Sequence, residues 1–169
     1  FAYTLKDVPD QAQSTNSDVY LVKTSAPQNQ VNISKNNPGY DNDPIFSPDG
    51  KSLAYHSMAR ASFESDRNRI MVYDLASGKT SEATTGLDQT VHGSLWTPDS
   101  KGFVFVSESK GTTQIFRIGR DAKNLQQVTQ GRYDYSLRGL TPDGKHALVG
   151  FSRMERPEEL ALVTMADKS

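Results

Sequence analysis

Cysteine is missing from all 169 residues, which removes disulfides, thiolate metal sites and a cysteine nucleophile together. Long apolar runs are missing as well, none approaching the roughly 18 residues that a membrane-crossing helix needs. Neither sign of charge is in excess: 19 Lys and Arg against 20 Asp and Glu leave a formal charge of -1, which points to neither a nucleic-acid groove nor a polybasic membrane patch. Hydrophobic residues are scarce at 35%, too few for one thick core but suited to many thin, half-exposed sheets. The chain begins Phe1-Ala2-Tyr3-Thr4, without an initiator Met or a signal peptide, and is expected to be cut from something longer.

What the sequence does contain is a repeat. Phe46-Ser47-Pro48-Asp49-Gly50-Lys51 returns as Trp96-Thr97-Pro98-Asp99-Ser100-Lys101 and again as Leu140-Thr141-Pro142-Asp143-Gly144-Lys145, with prolines 50 and then 44 residues apart. That period is the size of a four-stranded propeller blade. Proline presets one turn dihedral and Asp-Gly tolerates the left-handed conformation that closes the turn, so each copy reads as strand, tight turn, strand. Short β runs follow the turns, as in Leu53-Ala54-Tyr55-His56, Phe103-Val104-Phe105-Val106 and Ala147-Leu148-Val149-Gly150-Phe151. Third strands are expected at Ile70 to Tyr73, Gln114 to Ile118 and Leu160 to Val163, and fourth strands at Ser81 to Thr84 and Leu125 to Thr129. The first 39 residues fit the same register with their opening missing.

The expected fold is therefore all-β, a partial β-propeller of about three and a half four-stranded blades. Its blades run over residues 1–39 (incomplete), 40–89, 90–133 and 134–169 (incomplete). Blades bury their faces only against neighbours, so open end faces are expected to pair with a second copy as a homodimer or to stay exposed.

Few residues carry chemistry of their own. Gly150-Phe151-Ser152-Arg153-Met154 lacks the second glycine of a nucleophile elbow, and no helix follows it. His56, His92 and His146 share no register, so no metal site is expected, and no cofactor either. Asp41-Asn42-Asp43 reads as a loop cap before a strand. Asp49, Asp99 and Asp143 occupy equivalent turn positions and are structural by repetition, while Phe46, Trp96, Phe103 and Phe105 read as core. One segment breaks the repeat: the link Ser57 to Arg69 is much longer than its counterpart Ser107 to Thr113, and gathers Arg60, Glu64, Asp66, Arg67 and Arg69 around Phe63. It reads either as a solvated loop with internal salt bridges or as a rim loop offering a carboxylate to a cationic ligand end, or an arginine to a carboxylate.

These residues resemble a family. Ser14 to Tyr20, Asn37-Pro38-Gly39-Tyr40-Asp41, Phe46 to Lys51, Met58 to Arg69, Thr129 to Tyr135 and Ser152 to Leu160 are similar to the later part of the β-propeller of prolyl oligopeptidase family serine peptidases, especially the dipeptidyl-peptidase V and acylaminoacyl-peptidase-like branch. The turn motif alone is shared with TolB-type periplasmic propellers, whereas the Met58 to Arg69 stretch is more specific. The resemblance implies a parent enzyme whose α/β-hydrolase domain, absent here, carries a Ser-Asp-His triad. This fragment would then hold no catalytic residue and would gate short peptide substrates in a periplasmic or secreted enzyme. It further implies that an acidic propeller residue holds the peptide's free amino end: Glu64, with Asp66 in reserve and Arg60 to orient it or to meet a carbonyl. The chain departs from the commoner Gly-Tyr-Glu loop by carrying Ser62-Phe63-Glu64. The alternative is a TolB-like periplasmic scaffold for protein contacts, with no enzyme attached.

Overall fold

In the computed structural model, which describes residues 1–165, every regular element is a β-strand. The chain divides into two compact units, Phe1–Glu82 and Ala83–Ser169.

The first unit holds two antiparallel sheets. One is β1 (Ala2–Leu5), β2 (Asp18–Val22) and β3 (Gln30–Asn32), in that order. The other runs β4 (Asp41–Phe46), β5 (Ser52–Ser57), β6 (Arg69–Asp74) and β7 (Thr80–Glu82). Side chains alternate across a strand, so Leu53 and Tyr55 of β5 share one face and pack with the fully buried Val19 of β2. A single parallel bridge, Ser17 to Tyr40, joins the sheets, and the Ser17 hydroxyl donates to the Asp41 carbonyl at 2.7 Å.

The second unit repeats the plan with β8 (Gly93–Trp96), β9 (Gly102–Ser109), β10 (Thr112–Gly119) and β11 (Gln126–Gln127) in one sheet. Its other sheet comprises β12 (Asp134–Leu140), β13 (His146–Arg153) and β14 (Arg156–Thr164). Val104, Val106 and Ile115 of the first sheet meet Ala147 and Val149 of the second in one buried cluster.

The three Pro-Asp turns are built alike. A hydroxyl (Ser47, Thr97, Thr141) donates to the carboxylate two residues on at 2.6 Å in each copy. That carboxylate accepts the backbone N–H of Lys51, Lys101 or Lys145 at 3.1, 3.0 and 3.0 Å. These bonds hold the Asp99 and Asp143 carboxyls below their usual range, the hydroxyl being the main cause. The left-handed position falls at Gly50, Ser100 and Gly144, with φ of 68°, 61° and 68°.

Two expectations need correction. Trp96, Phe103 and Phe105 are buried, but Phe46 is 39% exposed and is not core, because it ends β4. Asp41 to Asp43 do not form a loop cap; they lie inside β4, whose register slips between Asn42 and Ile45 as Asp43 takes φ 51°. The bulge turns the exposed Asp43 carboxylate to within 3.6 Å of buried His56 Nδ1.

Candidate functional site

The long link between β5 and β6 is fixed at its root. The Met58 N–H donates to the Tyr40 carbonyl at 2.9 Å, and Asn37 Nδ2 donates to the Met58 carbonyl at 2.7 Å. A Cβ at Gly39 would sit 2.1 Å from the Met58 carbonyl oxygen, so only glycine admits this approach.

Farther along, Asp66 organises the loop. Its carboxylate is buried and accepts the backbone N–H groups of Ala59, Arg60 and Arg67 at 2.9, 2.8 and 2.9 Å. Arg60 adds Nη2 at 2.8 Å and Nε at 3.1 Å, and its guanidinium lies 4.0 Å from the centre of the Phe63 ring. The Arg60 bond, helped by the backbone donors, lowers the Asp66 carboxyl to about 2 against the opposing effect of burial. Arg67 pairs with Glu82 at 2.9 Å, which secures the far end of the loop to β7. Asp66 and Arg60 thus engage each other, the carboxylate buried within the loop and the arginine side chain largely exposed.

Glu64 is placed differently. It is exposed, and among the described residues no hydrogen bond or ion pair engages its carboxylate. It lines a cleft of about 630 Å³ together with Lys6, residues 11–15, Tyr40, Met58 and Ser62. The opposite wall is the link between β1 and β2, so the cleft lies between the same link of two successive repeats. Asp10 shapes that wall by accepting the N–H groups of Ala12 and Gln13 at 3.0 and 3.2 Å. Ser62, at φ 55°, stitches the walls together: its N–H donates to Thr15 Oγ1 and its hydroxyl to the Gln13 carbonyl, both at 3.0 Å. Sequence reasoning found the Glu64 wall but missed Lys6, Gln13, Thr15 and Tyr40. The signal available was length, since the β1–β2 link is also far longer than the Ser109–Thr112 turn.

Asp41, which follows the cleft residue Tyr40 in sequence, is fully buried and accepts a hydrogen bond from Asn37 Nδ2 at 3.0 Å. Burial raises its carboxyl from 3.8 to about 6, outweighing hydrogen bonds from Ser57, Asn37 and Ser34. Its Oδ2 is buried with no hydrogen-bond partner among the described residues. Among those residues no group of three or more His, Cys, Asp or Glu is arranged to hold a metal.

Repeated antiparallel sheets of three or four strands, three of them carrying the same Pro-Asp turn, are the pattern of a propeller of the TolB type. The chain belongs to the TolB β-propeller domain family, whose model matches residues 11–167. It is 42% identical over 123 residues to a dipeptidyl-peptidase 5 of Porphyromonas gingivalis, covering 73% of this chain and 18% of that one. A dipeptidyl-peptidase 5 of Aspergillus fumigatus is 32% identical over 163 residues, covering 91% of this chain and 21% of its own length. The chain therefore spans only 18% and 21% of the length of these two relatives. Its fold is that of TolB from Acinetobacter baumannii (TM-score 0.67, 22% identity, 99% of this chain and 39% of the other). The same fold occurs in an acylaminoacyl peptidase from Pyrococcus horikoshii (TM-score 0.64, 16% identity, 95% of this chain and 23% of the other). The chain is thus a TolB-type propeller related in sequence to dipeptidyl-peptidase 5.

Proposed function

We propose that the chain is the substrate-selecting propeller part of a dipeptidyl or acylaminoacyl peptidase of the prolyl oligopeptidase type, working in the periplasm or outside the cell. In this reading it holds no nucleophile and serves a hydrolase domain by admitting short peptides. Glu64 takes the peptide's free amino end, while Asp66 and Arg60 act through the loop that carries it. The observation behind this is a division of labour: Asp66 is saturated by five donors, and Glu64 alone offers an unengaged carboxylate to the cleft. An ammonium is the complementary ligand group.

The test uses the product of the complete reading frame, as wild type and Glu64→Gln, on dipeptide reporters with free and with blocked amino ends. Loss of an anchoring charge pair lowers kcat/KM for the free amine by about tenfold or more. Blocked substrates are unaffected. Equal kcat/KM in both proteins on the free amine overturns the assignment.

A second reading, a TolB-like scaffold for protein contacts, draws on the exposed Leu148, Leu160 and Leu162 of β13 and β14. A reading frame without a hydrolase domain would favour it.

A further inference from the structure

The cleft has two walls, and each contributes one formal charge. Among its lining residues Lys6 is the one cation and Glu64 the one anion. Lys6 Nζ donates to the Gln11 carbonyl at 2.8 Å, which keeps the ammonium at the wall and leaves it further N–H groups to donate. The Ser62 bonds to Thr15 and Gln13 hold the Lys6 wall and the Glu64 wall in one arrangement. Tyr40, 37% exposed, also lines the cleft as an amphipathic surface.

Such a site discriminates by charge pattern. A ligand bringing only an ammonium pairs with Glu64 but leaves Lys6 as an uncompensated like charge. A ligand bringing a carboxylate as well satisfies both. The volume of about 630 Å³ fits a small ligand, and two extended residues span at most about 7 Å.

We infer that the cleft takes a short peptide bearing both charges, its amino end on Glu64 and a carboxylate on Lys6. The carboxylate is either the peptide's own terminus or an acidic side chain at its second residue. The inference rests on the reading of Glu64 as amine anchor and adds Lys6 as a specificity-determining residue.

Calorimetric titration of the chain at neutral pH tests it with four peptides: Ala-Ala, Ala-Ala-amide, Ala-Glu-amide and acetyl-Ala-Ala. Replacing the carboxylate by an amide weakens binding by about fivefold, the scale of one partly exposed ion pair. Lys6→Met abolishes that difference and Lys6→Arg keeps it, with circular dichroism checking that both variants fold. Full recovery by Ala-Glu-amide assigns Lys6 to an acidic side chain, and preference for Ala-Ala alone assigns it to the terminal carboxylate. If Ala-Ala, Ala-Ala-amide and Ala-Glu-amide all bind alike while acetylation still weakens binding, the Lys6 inference falls and the Glu64 reading stands. If acetylation and Glu64→Gln change nothing, the Glu64 reading itself falls. Absence of binding by all four peptides sinks both.

Discussion

At the scale of single residues, two carboxylates in the first unit pull stability in opposite directions with pH. Asp66 is lowered to about 2. A depressed acid contributes stability that is complete above its unfolded value near 3.8 and is lost as pH falls toward 2. Asp41, raised to about 6, behaves conversely: between 3.8 and 6 the folded state binds the extra proton, so its contribution declines as pH rises through that window and is level above it. Asp41→Asn, an uncharged isostere of the protonated acid, is expected to flatten the stability profile between pH 4 and 6, as read by urea denaturation. An unchanged slope there would show that Asp41 is not the group responsible. Asp66→Ala strips the acceptor from three backbone N–H groups, at a cost of about 1–3 kcal/mol. Because the damage is confined to the loop, hydrogen exchange at Ala59, Arg60 and Arg67 should accelerate before global unfolding does.

At the scale of elements, the turns show how much is legible in the sequence and where legibility stops. Pro-Asp-Gly specifies its geometry locally, through one fixed φ, one acceptor side chain and one residue free to be left-handed, so three turns and their flanking strands can be read from spacing alone. Gly50 and Gly144 share φ 68° but not surroundings: a Cβ meets nothing at Gly50, whereas at Gly144 it meets Pro98 Cδ at 3.3 Å. Both alanine substitutions incur the left-handed penalty of about 1–2 kcal/mol. Gly144→Ala is expected to cost more, and equal midpoints in denaturant would show that Pro98 yields freely. The cleft is not legible in this way. It depends on bonds between Ser62 and residues 47 and 49 positions earlier, made by two irregular links that carry no periodicity. The places of Phe46 and Asp41 are not legible for a related reason: β4 begins at Asp41, ends at Phe46 and carries an irregular register between Asn42 and Ile45, and no spacing pattern marks any of these.

At the scale of the whole molecule, the repeat itself marks the surface that remains open. Within the second unit, Val104 of β9 is 2% exposed and Ile115 of β10 is 0% exposed, both covered by the sheet of β12 to β14. The residues in the same register of that next sheet are Leu148 and Leu160, which are 39% and 67% exposed, with Leu162 beside them at 64%. A face that is buried in one repeat and apolar but bare in the following one is shaped to receive another sheet of the same kind. The occupant proposed here is the matching sheet of a second copy. We therefore expect self-association through this face, and light scattering should return a mass above that of the monomer at micromolar concentration. Leu160→Lys and Leu162→Lys together place two charges on the face and should shift the mass to that of the monomer while leaving the buried cluster around Val149 intact. A wild-type chain that runs as a soluble monomer at high concentration would overturn the second copy as occupant.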